Sequence, residues 1–207
     1  MIAVLDYDAG NLTSVALAVR HVGYKPLVTR DPEKVRAAER IIFPGVGAAK
    51  ASMESLNSLG LAEALKDAYR AGKPILGICI GCQVIFSRSD EDGGAACLDL
   101  LPGDVVRFQF APDIRRKIPH MGWNETQFRG DHPIFGGVPE GSQFYFVHSY
   151  YVRPADEEDV RGTAIYGGVE FATAVARDNL VAVQFHPEKS GPAGLRVLEN
   201  FLCWTPE

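Results

Sequence analysis

With 207 residues, 46% of them hydrophobic and 23% charged, the chain has the composition of an ordinary globular protein, long enough to bury a core and short enough for one domain or two small ones. The net charge of −5 gives no basis for a nucleic-acid surface, and four cysteines (Cys79, Cys82, Cys97 and Cys203) are too few and too unevenly spaced for a disulfide framework. The longest apolar run, 74–86, is too short to span a bilayer, and MIAVLDYDAGN lacks a basic start and reaches an aspartate at residue 6, so neither a membrane span nor a signal peptide is expected and a cytoplasmic protein is.

In chain order, IAVLDY reads as a short buried strand and is followed by a helix with Leu12, Val15, Ala16 and Val19 on one face. KPLVT is the next strand, and a short helix starts near Asp31. RIIFPGVG is a strand running into a Pro/Gly loop, with a helix near 50–58 after it. LAEALKDAYRAG is a helix aligned on Leu61, Leu65, Ala68 and Tyr69, with Gly72 as its stop, and PILGI is a fully apolar strand. This alternation predicts a parallel sheet covered on both faces. In the second half DVVRF, SQFYFVHSYYV, TAIYG, EFATAVARDN and LVAVQF read as strands without long helices between them. FATAVA alternates large and small, as a half-exposed strand does, and RDNL is a hairpin turn. A last helix turns Leu195, Leu198 and Phe201/Leu202 inward. The expected architecture is α/β with an antiparallel extension, and no linker divides it.

KPILGICIGCQVIF, at 73–86, places Cys79 where a buried strand meets a helix, at the sheet edge where open α/β folds bind ligands. A helix starting at Ile80 would aim its unpaired N–H groups at the thiol and favour the thiolate. Gly77 and Gly81, two residues to either side, give the G-x-nucleophile-x-G form of a strained strand-to-helix turn, with the Ile80 N–H as half of an oxyanion hole. Other readings stay open on these residues: a small buried hydrophobe, or a C-x-x-C redox pair of Cys79 and Cys82. Zinc would need ligands that no second C-x-x-C supplies.

A nucleophile needs a base, and the histidines are His21, His120, His132, His148 and His186. His21 falls on a predicted helix and reads as surface. His186 follows the buried run LVAVQF, so it too lies at a strand end. Pro187 is expected to hold the segment extended, which would turn Glu188 to the same side as His186 and let it take one imidazole N–H. In FPGVGAA, at 43–49, Gly45 and Gly47 allow close backbone approach, and the Val46 N–H is the candidate second oxyanion donor.

PGVG, GICIGCQ, HMGWN, FYFVHSYY and QFHPEKS, in this order, resemble the class I (triad) glutamine amidotransferases, and within them the glutaminase branch that serves imidazole glycerol phosphate synthase in histidine biosynthesis. The resemblance runs from DYDAGN at 6–11 to the final helix. It implies one amidotransferase domain over 1–207, a central and mostly parallel sheet flanked by helices, and an antiparallel β extension. It implies Cys79 as nucleophile, His186 as base and Glu188 as its orienter. Gly47, Gln83, Ser149 and Tyr150 match positions that hold L-glutamine, and Trp123, Asn124, Tyr145 and Lys189 match positions near a partner and the ammonia passage. The partner implied is a cyclase subunit in a heterodimer, with no metal and no organic cofactor. Two positions depart from the pattern: Cys82 stands where methionine is usual, and PGVGAAKAS lacks the usual phenylalanine. Of the alternatives, a class I glutaminase serving pyridoxal phosphate synthesis is opposed by PHMGWN, and a non-catalytic or redox protein by the retention of His186 and Glu188.

Overall fold

A computed structural model describes residues 1–206; Glu207, the last residue of the expected domain, lies outside the described residues. The first half alternates as expected: β1 (Ile2–Leu5), α1 (Leu12–His21), β2 (Pro26–Thr29), α2 (Pro32–Ala37), β3 (Arg40–Phe43), α3 (Ala49–Ser58), α4 (Leu61–Arg70), β4 (Ile75–Ile78) and the short α5 (Ile80–Val84). Strands then dominate: β5 (Arg88–Ser89), β6 (Ala95–Ala96), β7 (Gly103–Arg107), β8 (His120–Glu125), β9 (Gln127–Phe128), β10 (Gln143–His148), β11 (Tyr150–Pro154), β12 (Val160–Tyr166), β13 (Val169–Arg177) and β14 (Leu180–Val183), before the closing helix α6 (Gly191–Cys203). Among the described residues no helix is long and apolar enough to cross a membrane.

The main sheet has eight strands in the order β2-β1-β3-β4-β14-β13-β12-β9. β2, β1, β3, β4 and β14 run parallel, and β13, β12 and β9 continue the sheet antiparallel. Alternate residues of β1 feed opposite cores. Ala3 and Leu5 pack with the apolar faces of α2 to α5, and Ile2 and Val4 with those of α1 and α6. A parallel strand covered on both faces must be apolar throughout, which is why β1, β4 and β14 carry no polar side chain. The mixed α/β architecture read from the sequence is the one observed.

Three local expectations need correction. Phe171–Ala176 is buried throughout, not half exposed, because β13 lies inside the main sheet between β12 and β14 and helices or strands cover both its faces. Its alanines are small for packing, not for exposure. SQFYFVHSYYV is not one strand: it changes sheets at Ser149, so that β10 pairs with β8 in a two-stranded ribbon while β11 pairs with β7 in a four-stranded sheet. β8 is a strand that the sequence did not announce. Its alternation is inverted, with His120 buried and Met121 and Trp123 exposed by 63% and 55%, so periodicity pointed its apolar residues the wrong way.

The ribbon meets the main sheet through aromatic rings. His120 stacks on Tyr166 and Phe146, at centroid distances of 4.0 and 4.9 Å, and its Nδ1 lies 3.0 Å from His148 Nε2. Burial pushes the pKa of His120 down to about 4 and that of His148 to about 3. The unfolded chain, with imidazoles near 6.5, therefore binds protons that the folded chain refuses. Stability is expected to fall as pH drops from that value toward 4, by on the order of several kcal/mol for His148 alone. Thermal denaturation across this range measures the effect, and a melting temperature unchanged down to about pH 4 would contradict it.

Candidate active site

β4 and β14 are parallel neighbours with Ile78 opposite Val183, so their carboxyl ends lie side by side. That register brings Cys79 next to the segment Gln184–Glu188. Cys79 has φ 56° and ψ −106°, in the left-handed half of backbone space that a side chain rarely occupies. The turn is tied down by the Cys79 N–H to the Val183 carbonyl, at 2.9 Å, and by the N–H groups of Cys82 and Gln83 to the Cys79 carbonyl, at 3.0 and 3.2 Å. The two flanking glycines have distinct roles. A Cβ on Gly81 would fall onto the Phe43 carbonyl oxygen, and one on Gly77 would come within 2.9 Å of the Gly81 oxygen. They are sites of close approach between β3, β4 and α5.

His186 is wholly buried and anchored by its N–H to the Tyr145 carbonyl, at 2.9 Å. Its Nδ1 lies 2.7 Å from Glu188 Oε1. The expected pairing is present, but by another route. Pro187–Lys189 is a 3-10 turn and not an extended segment, so it is the turn that swings Glu188 back beneath the imidazole. Because the carboxylate can only accept, Nδ1 carries a proton and Nε2 faces the thiol; Nε2 has no hydrogen-bond partner among the described residues. Burial opposes charge on His186, yet the adjacent Cys79 and Glu188 outweigh it and raise its pKa to about 9. The ring is thus protonated at neutral pH, the state required to give a proton to a leaving amine.

Sequence reasoning missed three residues here. Asn11 caps α1 in the left-handed conformation, and its Nδ2 donates at 2.5 Å to Glu188 Oε1, the same oxygen that the imidazole meets. It ends the DYDAGN motif, which reads simply as a turn. Glu91 lies in the acidic stretch SDEDGG; its carboxylate caps the Ala49 N–H at 2.7 Å and lines the cavity, where burial raises its pKa. Gln184 is fully buried, with its Nε2 3.8 Å from Cys79 Sγ.

The cavity over the thiol is about 270 Å³, and its wall includes Val46, Gly47, Cys79, Gln83, Glu91 and the 147–150 segment with Ser149 and Tyr150. It is the size for a small amino acid. Larger grooves, of about 440 and 680 Å³, lie over β11–β13 and over the 125–141 loops, but neither includes a cysteine. Gln83 is committed within the wall: its Nε2 donates to the Tyr150 carbonyl at 2.9 Å and to Gln184 Oε1 at 3.0 Å. Trp123, Tyr145 and Lys189 cluster at one edge, the Tyr145 ring 6.1 Å from Trp123 and 5.9 Å from Lys189 Nζ. Asn124 does not join them. As the next residue on β8 it points to the other face, and its amide donates to the Ile165 carbonyl.

The expected oxyanion donors are present but turned away from the cavity. The Ile80 N–H donates to the Gly45 carbonyl at 3.4 Å, and the Val46 N–H donates to the Ala9 carbonyl at 2.7 Å. The peptide between Gly45 and Val46 therefore shows its carbonyl to the thiol's helix. Cys82 is a fully buried free thiol, and burial pushes its pKa up, away from the thiolate.

Known proteins share both the sequence and the fold. The chain is 50% identical to the imidazole glycerol phosphate synthase subunit HisH of Aromatoleum aromaticum over 99% of both chains, and 50% identical to the protein of the same name from Moorella thermoacetica over 97% of this chain and 93% of that one. In fold it is similar to PurLQS of Thermotoga maritima, with a TM-score of 0.74 at 18% identity over 98% and 97% of the two chains. It is likewise similar to the glutaminase domain of Trypanosoma brucei CTPS, with a TM-score of 0.65 at 18% identity over 98% and 93%. The family model of class-I glutamine amidotransferases matches residues 3–204, and the chain belongs to that family.

Proposed function

We propose that the chain is the glutaminase subunit of an imidazole glycerol phosphate synthase, one amidotransferase domain over residues 1–207 that hydrolyses L-glutamine and hands the ammonia to a cyclase subunit. The observation that carries this reading is the strained thiol Cys79 set against His186, whose far nitrogen is held by Glu188, itself held by Asn11. The near-full-length similarity to subunits of that name supports the choice of synthase. The Cys79 thiolate attacks the side-chain carbonyl of glutamine, and His186 protonates the departing nitrogen, which leaves as ammonia. Water, deprotonated by His186, then attacks the thioester; the C–S bond breaks, glutamate is released and the thiolate is restored. Glu91 is suited to the substrate's α-ammonium group, and the backbone of Gly47, Ser149 and Tyr150 to the rest of its amino-acid end, with Gln83 behind them.

The cyclase would seat on the face that carries Trp123, Tyr145 and Lys189, where Met121, Trp123 and Val46 are exposed. With a cyclase and its phosphoribosyl-carboxamide substrate, the chain should let glutamine replace free ammonium in forming imidazole glycerol phosphate and the carboxamide ribotide. A pair that uses ammonium but never glutamine would refute the assignment. Within the triad, His186→Ala should lose nearly all activity while Glu188→Gln keeps more, because the carboxylate orients and does not transfer protons. Steady-state kinetics of the paired enzyme compares them, and equal losses would show that Glu188 has a further role.

A further inference from the structure

We propose that the Gln184 side-chain amide is a catalytic hydrogen-bond donor to the Cys79 sulfur, and that Gln83 is the positioning residue that aims it; this rests on Cys79 being the nucleophile. The orientation of both amides follows from what their neighbours can do. The Tyr150 carbonyl can only accept, so Gln83 must present its NH2 there, at 2.9 Å. The second proton of that NH2 goes to Gln184 Oε1, at 3.0 Å. Gln184 therefore has its oxygen on the Gln83 side and its NH2 on the sulfur side, 3.8 Å from Sγ. The Tyr150 carbonyl is held in turn by His148 Nδ1, at 2.8 Å, and His148 Nε2 accepts from His120 Nδ1, at 3.0 Å. Two runs of donors thus share the Tyr150 carbonyl, His120 and His148 on one side and Gln83 on the other, and the run from Gln83 through Gln184 ends on the reacting atom.

The contact matters because of what else faces that sulfur. The Val147 carbonyl lies 3.9 Å away and favours the protonated thiol, to which it is an acceptor. A wholly buried amide that can only donate favours the thiolate. The titratable groups near the sulfur are His186, Tyr7 and Cys82, with Glu91 and His148 further round the cavity wall. Burial keeps Tyr7 and Cys82 neutral, so His186 supplies the positive charge and Gln184 the fixed dipole. The same donor makes the sulfur a better leaving group when the thioester is hydrolysed.

The test is the rate at which iodoacetamide alkylates Cys79 in the full chain, read by mass spectrometry across pH. It does not depend on a partner. Gln184→Leu and the near-isosteric Gln184→Glu should react about tenfold slower at neutral pH, and the deficit should close at alkaline pH, where hydroxide ionises the thiol without the amide. Gln83→Leu should show the same pattern to a smaller degree. Alkylation of buried Cys82 marks any variant that has lost its fold, and the other Gln184 variant is then the one read. Rates unchanged from the unaltered chain in a folded Gln184 variant would overturn the proposal, as would a deficit that is equal at every pH. A diazoketone analogue of glutamine separates the two readings. If it fails to label Cys79 in the unaltered chain paired with a cyclase, the glutaminase assignment falls, while a pH-dependent deficit in the variants still establishes the contact.

Discussion

Replacing Cys79 with alanine should abolish glutamine hydrolysis, a loss of about 10⁴-fold or more, whereas Cys82→Ala should keep most of the activity. The two thiols are three residues apart, and their surroundings make them unlike. Cys79 sits at the strained head of the turn, beside His186 and at the floor of the cavity. Cys82 lies one helical turn further, with no exposed surface, packed among Ile80, Val84 and the residues of α3. Its alanine variant removes one sulfur from a core cluster, which affects stability more than chemistry. Mass spectrometry after treatment with a glutamine-like electrophile decides the matter directly, because adduct on Cys82 would disprove the assignment of the nucleophile.

The second large effect expected is activation by the cyclase: the isolated chain should hydrolyse glutamine slowly and the pair about 10²–10³-fold faster. As the loop stands, the Ile80 N–H is occupied by the Gly45 carbonyl and the Val46 N–H by the Ala9 carbonyl. An oxyanion formed on glutamine would meet a carbonyl where it needs donors. Rotating the single peptide between Gly45 and Val46 releases the Ile80 N–H and brings the Val46 N–H inward. Val46 is 37% exposed beside the cavity, so a docked partner can bias that rotation by contact. Moving the equilibrium from 1:99 to 99:1 takes about 5.5 kcal/mol of differential binding. A steady-state comparison of the chain alone, the chain with cyclase and the pair with cyclase ligand measures it. Full activity in the isolated chain, or an unchanged rate in the paired Val46→Pro variant that lacks the N–H, would reject this account.

The parallel half of the fold was legible because buried strands and amphipathic helices write their periodicity into the sequence, as β1, α4 and β4 do. The thiol, the imidazole and the carboxylate were legible because glycine spacing and an X-Pro pair mark strand ends. β8 was not, since its exposed Met121 and Trp123 invert the usual pattern. Asn11, Glu91 and Gln184 were not, because a polar residue shows its purpose only through what lies opposite it. Glu188 was placed correctly for an incorrect reason: the turn, not an extended strand, brings it to His186. The orientation of the Val46 peptide is a conformational choice on which composition and spacing are silent.

The β8–β10 ribbon is fastened to the rest of the molecule at His186. The His186 N–H bonds to the Tyr145 carbonyl, the Tyr145 N–H to Ser190 Oγ, and that hydroxyl to the His186 carbonyl. Two strands alone are marginal in water, so the ribbon persists through these fastenings and its aromatic contacts with the core of the main sheet. In hydrogen exchange its amides should open as a separate unit, ahead of those in β4 and β14. The His186 amide, which spans the seam, would then report on how firmly the ribbon is seated, and its slowing on addition of a cyclase would register docking through the Tyr145 carbonyl that it bonds.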